Sequence, residues 1–398
     1  MTAITSQNTK PKILFGYSYF KSPSYQNAEQ LYQNYINRLV NAGFDVEGFC
    51  LTLNPPGPPV LWEQLDASWH LGNKDLLQMY ERLEAKLEGK DILINGPGIN
   101  LHPEFVERLP VYTVFQCFDD PESSHLLSKP VAAAYDMCLV GNIAELDTYR
   151  SWGCKQVEWS PMGLQSDIYD PNITEDSILN GERDIDLFMM GDRLARWRKK
   201  RMDQLGRAFP DAHFYGRGWP RGKLPESEQL GYLRRAKIGP NIHNSTGPIN
   251  YRTFYLPANG VMLVCDNKKH LGEIYQLGKE AVGFDSIDEC VDLCRYYLDH
   301  DTERRQIAAA GWKRSLQDYN EITVFQRNIT HIQQHMTIRR QRQTHTTIAL
   351  QQSKLTAKST FAKMLLHPQI LKPTVKKPFV VAMNIARKLR SHALMAHR

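Results

Sequence analysis

Three stretches of this sequence place reactive side chains directly after a short apolar run, where a buried strand would end. The first is Asp186–Met190 (DLFMM), followed by Gly191, Asp192 and then Arg193, Arg196 and Arg198. Glycine permits a tight turn after a strand. A helix starting near Arg196 would then turn free N–H groups and its positive dipole end toward an anion. Cations at that end of a helix oppose the dipole, so they need another reason to be there, and a bound diphosphate is one. The second stretch runs from Asn241 to Arg252 (NIHNSTGPINYR). It joins a strand to a helix through small polar residues, and Asn241, His243, Asn250 and Arg252 are candidates to hold a leaving phosphate. In the third, Val111–Phe118 runs into Asp119 and Asp120. Either carboxylate could accept the proton of an attacking hydroxyl as a general base, although Asp120 before Pro121 also reads as a helix cap. His102, beyond the strand Asp91–Asn95, is a further candidate base. Gly16, Ser18 and Tyr19, at the end of the first strand, are candidates for an acceptor side.

Other chemistries find no signature. Gly96-Pro97-Gly98 continues as Ile99-Asn100-Leu101, so the dinucleotide fingerprint is missing, and there is no Walker lysine or GxSxG elbow. Asp184-Ile185-Asp186 spells DxD, but it opens a strand, away from the carboxyl edge where ligands bind. No metal and no resident cofactor is therefore expected. The 7 cysteines include no CxxC pair, which suits a reducing, cytoplasmic setting better than a disulfide framework. No apolar run reaches the ~18 residues a spanning helix requires.

The elements that would carry these residues alternate. Strand-like runs at Lys12–Tyr17, Phe44–Leu53, Asp91–Asn95, Val111–Phe118, Met137–Val140 and Gln156–Trp159 are interleaved with amphipathic stretches such as Gln26–Ala42 and Lys74–Leu87. Strands apolar throughout belong to parallel sheets covered on both faces. A polar interval follows, and the alternation restarts at Asp186. The expected organisation is α/β: a Rossmann-like domain over 1–165, a linker over 166–185, a second Rossmann-like domain over 186–320, and an extension over 321–398. Doubly wound domains bind ligands at the carboxyl edges of their strands.

Charge is divided unevenly along the 398 residues. The last acid is Glu321, and residues 322–398 hold 14 Lys+Arg with no Asp or Glu. The preceding 321 residues hold the other 35 Lys+Arg against 43 Asp+Glu, a net charge of −8. An acidic body with a cationic tail speaks of partners. If residues 379–396 are helical, Ala382, Met383, Ile385, Ala386 and Leu389 share a face, the pattern of a helix lying on an anionic membrane. With only Phe361 and Phe379 available for base stacking, nucleic acid is not the expected partner.

Residues 90–327 also resemble a known family. FMMGDRLARWRKKRMDQL, YGRGW and NIHNSTGPINYRTFYLPANGVMLVCD are similar to the C-terminal domain of CgeB-like glycosyltransferases, which have the GT-B fold. FDDPESS and YRSWGCKQVEWSPMGLQSDIYDP resemble their first domain. The resemblance implies metal-independent transfer of a sugar from a nucleotide-sugar, a co-substrate, to a glycan or lipid-linked acceptor. Gly191 and Arg196 would fall on the diphosphate loop, and Asn241, His243, Asn250 and Arg252 on the donor loop. The family carries Glu, a ribose ligand, where this chain has Tyr255, and Glu280 matches another family glutamate. The departure at Tyr255 keeps a second function open, an inactive GT-B scaffold or nucleotide-sugar-binding protein brought to an anionic surface by its tail.

Overall fold

The computed structural model describes residues 10–19, 28–53, 61–96, 100–193, 196–243, 245–248, 250–267 and 270–339. The extension from residue 340 onward lies outside the described residues. Two compact units are present. One comprises the described residues of Met1–Val140, Leu146–Glu158 and Thr330–Ala393, and the other those of Gly141–Glu145 and Trp159–Ile329.

The first unit is built on six strands: β1 (Lys12–Tyr17), β2 (Asp45–Cys50), β3 (Ile92–Asn95), β4 (Tyr112–Cys117), β5 (Met137–Val140) and β6 (Val157–Trp159). They lie in the order β2-β1-β3-β4-β5-β6. The pairs β1–β2, β1–β3, β3–β4 and β4–β5 are parallel. Strands β3 and β5 are buried along their whole length, which is why they read as unbroken apolar runs rather than alternating ones. The helix Lys74–Lys86 turns Leu76, Leu77, Met79, Tyr80 and Leu83 inward and is capped by Asn73, whose side chain accepts from Leu76 N at 3.0 Å. Each such fully buried side chain contributes roughly 1.5–3 kcal/mol.

The second unit holds β7 (Ile185–Arg193), β8 (His213–Arg217), β9 (Ala236–Asn241), β10 (Met262–Asp266) and β11 (Val282–Phe284), ordered β11-β10-β9-β7-β8. Its pairs β7–β8, β7–β9, β9–β10 and β10–β11 are parallel. In each unit the chain adds its second strand on one side of the first and its third on the other. The order thus reverses between β1 and β3, and again between β7 and β9. At such a switch point the flanking loops part and leave a crevice at the carboxyl edge, the usual ligand site of open α/β sheets.

Three features depart from the sequence expectation. The helix Trp62–Leu71, after the NPPGPP breaker, has no clean apolar stripe and was not anticipated. Within the expected linker, Glu175–Leu179 forms a short helix capped by Thr174, and Leu164 bridges to Asn320. Asp120 does not cap the next helix, because Ser124–Leu127 starts after Ser123.

Candidate functional site

The crevice of the second unit lies between Gly191, late in β7, and Asn241, the last residue of β9. Arg252, the first residue of the helix Arg252–Ala258, reaches across it. Its Nε donates to Asn241 Oδ1 at 2.9 Å and its Nη1 to Met190 O at 3.2 Å. Arg198 comes in from the helix Arg196–Ala208 that follows β7. A Cβ placed on Gly191 would lie 3.5 Å from Arg252 Nη1, 3.6 Å from Arg198 Nη1 and 3.8 Å from Trp219 Cζ2. Both guanidinium groups therefore converge on the one residue without a side chain.

Both are buried, Arg198 at 3% exposure and Arg252 at 8%. Burial, then the charge of Arg252, lowers the Arg198 pKa. Burial lowers that of Arg252 too, against the pull of Tyr255 and Asp266. Two unit charges ~7 Å apart at an effective dielectric of ~20 repel by about 2 kcal/mol. Asp266 acts on both guanidiniums, but its carboxylate is already bound to His243. An anion seated at Gly191 would relieve that repulsion.

The surrounding hydrogen bonds fix each polar atom. Asn241 Oδ1 accepts from Arg252 and, at 3.0 Å, from Asn250 Nδ2. Asn241 must therefore turn Nδ2 toward Thr253 Oγ1, 3.2 Å away. His243 Nε2 lies 2.9 Å from Thr253 Oγ1, and its Nδ1 faces Asp266 Oδ1 at 2.6 Å. His243 N also donates to Asp266 Oδ2 at 3.1 Å. His243, 1% exposed and with both ring nitrogens in hydrogen-bond contact, braces the loop.

Other sequence candidates fall elsewhere. Arg193 closes β7 and Arg196 opens the next helix, but their side chains lie outside the described residues; of the arginines of that stretch whose side chains are described, Arg198 is placed at Gly191. Tyr255 is buried in the apolar cluster with Leu164, Phe254 and Tyr319, and its hydroxyl makes no hydrogen bond. The helix Arg252–Ala258 turns it into the core. Glu280 is not brought to the crevice. It precedes β11, so it sits at the amino edge of the sheet, where its Oε2 accepts from Gln276 N at 2.8 Å. The DxD acids also lie at an amino edge, Asp184 paired with Arg235 and Asp186 with Lys237. Trp219 was missed by sequence reasoning. Its signal was YGRGW after a strand, a glycine-rich turn carrying one large side chain.

In the first unit, Ser18 Oγ accepts from Asn100 Nδ2 at 3.1 Å across the β1/β3 switch point. Tyr19 donates from its hydroxyl to Glu29 Oε2 at 2.8 Å. Gly16 is buried inside the sheet, and a Cβ there would meet Leu51 at 2.8 Å, so it serves packing rather than lining an acceptor side. Asp119 is buried just beyond β4. Asp120 accepts hydroxyl protons from Ser124 at 2.8 Å, Ser128 at 2.7 Å and Tyr149, an arrangement that ties three segments together. His102 caps the helix Pro103–Val106. Its Nδ1 accepts from Glu104 N at 3.3 Å, its Nε2 faces Asp66 Oδ1 at 3.4 Å, and its ring lies between Trp62 and Trp69. With both ring nitrogens engaged and burial lowering its pKa, His102 is a structural residue rather than a free base.

Among the described residues, two groups have donor atoms close enough for a metal ion, His243–Cys265–Asp266 and Asp66–His70–His102. Neither suits one. Burial keeps the Cys265 thiol protonated, and Thr253 occupies His243 Nε2. In the other group, the Glu104 N–H bond to His102 Nδ1 requires a proton on Nε2, where a metal would need a lone pair.

Comparison with known proteins agrees with this architecture. Residues 193–327 match a family model described as glycosyl transferase-like. HepE of Anabaena, solved with UDP and glucose, superposes with a TM-score of 0.53 at 13% identity, over 81% of this chain and 100% of that one. Sucrose-phosphate synthase of Thermosynechococcus elongatus gives 0.52 at 12% identity over 82% and 100%. A glycosyltransferase of Rickettsia africae gives 0.53 at 12% over 82% and 99%. No curated protein matches in sequence. The fold is that of the GT-B glycosyltransferases, two parallel-sheet, Rossmann-like units.

Proposed function

We propose that this protein is a glycosyltransferase that moves a sugar from a nucleoside-diphosphate donor to a glycan or lipid-linked acceptor. The observation that carries the reading is the convergence of Arg198 and Arg252 on Gly191 at the β7/β9 switch point, both arginines lying within the stretch that matches the family model. As the sugar–phosphate bond breaks, its electrons pass to the leaving diphosphate. Two guanidiniums already in place, poorly screened by solvent, stabilise that charge without reorganising. Arg193, Arg196 and Asn250 extend the donor side, with Asn241 and His243 holding Arg252 in position. The first unit is the acceptor side, with Ser18, Tyr19 and Asp119 at its carboxyl edge and Asp119 as the proposed base. No divalent metal is invoked, because arginines take its role. UDP is the first nucleotide to try, since HepE was solved with UDP and glucose. The acid-free stretch 322–398 would hold the enzyme at an anionic, cytoplasmic membrane face bearing the acceptor.

The test is a panel of UDP, dTDP, GDP and ADP, followed by turnover of the matching nucleotide-sugars. One diphosphate is expected to raise the melting temperature in a concentration-dependent way, and its sugar conjugate to be consumed. A chain that binds no member fails the reading. Binding without turnover would favour an inactive scaffold, which the buried Tyr255 supports because a family ribose ligand is missing there.

A further inference from the structure

Trp219 carries a buried polar atom for which the fold supplies no use. The side chain is 5% exposed, and its Nε1–H is fully buried with no hydrogen-bond acceptor. An indole N–H normally finds a partner when buried, and leaving it unmet is costly. Its place in the fold suggests what would meet it. A Cβ on Gly216 would lie 2.6 Å from both Nε1 and Cδ1 of the indole, and one on Gly191 would lie 3.8 Å from its Cζ2. The N–H edge of the ring therefore runs along two residues without side chains, and at the second of them Arg198 and Arg252 converge. The ring is held there. Trp219 N donates to Gly216 O at 3.1 Å, Gly216 N to Gly222 O at 2.7 Å, and the indole packs edge-on against Phe214. Trp312, on the helix Asp301–Asp318, has a similarly unmet Nε1.

We propose that the Trp219 indole N–H is a third hydrogen-bond donor to the anion held by Arg198 and Arg252, a phosphate group of the nucleoside diphosphate. The assignment rests on the donor-binding reading above. A tryptophan edge adds direction where the guanidiniums add charge, since one fixed N–H accepts only one placement of a phosphate oxygen.

The test is titration calorimetry on wild-type protein and W219F, with the best diphosphate of the panel, inorganic pyrophosphate and the corresponding nucleoside. Phenylalanine keeps an aromatic ring and deletes the N–H. The expected result is about tenfold weaker diphosphate and pyrophosphate binding, as for one lost hydrogen bond to a charged group, with nucleoside binding unchanged. Should W219F fold poorly, benzothienylalanine at position 219 keeps the bicyclic shape and removes only the donor. Unchanged diphosphate affinity in a folded variant overturns the assignment and leaves the arginine site standing. Equal losses for diphosphate and nucleoside overturn it too, since the ring would then be a platform for the base. A wild-type protein that binds no diphosphate sinks both readings at once.

Discussion

Tyr255 and His102 show how a single residue can look functional in sequence and prove structural in space. Tyr255 stands where the family that the sequence resembles carries a carboxylate, yet its hydroxyl is buried without a partner among the described residues, and burial raises its pKa far above the usual phenol. A buried, unsatisfied hydroxyl costs about 1–3 kcal/mol. Tyr255→Phe should therefore stabilise the protein by about 1 kcal/mol in urea unfolding, and a loss of that size would show that the hydroxyl has a partner after all. For His102, burial favours the neutral ring and lowers the folded-state pKa. The stability this gives is complete above about pH 6.5, where the unfolded ring is also neutral. It drains away as pH falls from there toward the folded pKa, because only the unfolded chain takes up the proton. Asparagine is a good cap in its own right. His102→Asn should keep the fold and flatten the loss of stability below about pH 6.5, read from unfolding curves across that range. A variant as acid-sensitive as the wild type would contradict this.

Gly216 carries the same argument for an element. Near its end β8 passes so close to β7 that a Cβ on Gly216 would sit 2.1 Å from Gly191 O, and its φ of +151° is one that side chains rarely adopt. Gly216→Ala must push the two backbones apart at the proposed phosphate site. It should cost about 2–3 kcal/mol, which for a chain of this size lowers the melting temperature by several degrees, and it should weaken diphosphate binding as well. Unchanged melting and binding would mean that the end of β8 adapts freely. Most strands were legible because unbroken apolar runs such as ILIN and MLVCD have only one way to be buried in a covered parallel sheet. The helix Trp62–Leu71 was not, since its burial rests on Leu65 and Trp69 alone. The anion site was half legible. Gly191 and Arg252 were marked by turn chemistry and helix position. The choice of Arg198 among neighbouring arginines, and the part of Trp219, depend on side-chain directions that spacing alone does not set.

At the scale of the whole molecule, two similar sheets differ at their switch points. The second unit gathers buried cations at its switch point. The corresponding place in the first holds neutral polar groups, Ser18 and Asn100. That asymmetry is what a donor side and an acceptor side would require, because only one of them must hold a diphosphate. The site is also arranged at some expense to stability, with two guanidiniums close together and buried, a common feature where binding has been favoured over the resting fold. The account therefore stands most directly on Arg198→Met, with unliganded melting temperature and diphosphate affinity measured on one preparation. Removing one of two like charges should leave the melting temperature within a few degrees of wild type or raise it, while affinity falls by about a hundredfold or more. Wild-type affinity in a folded Arg198→Met protein would contradict the proposal that these arginines hold the donor.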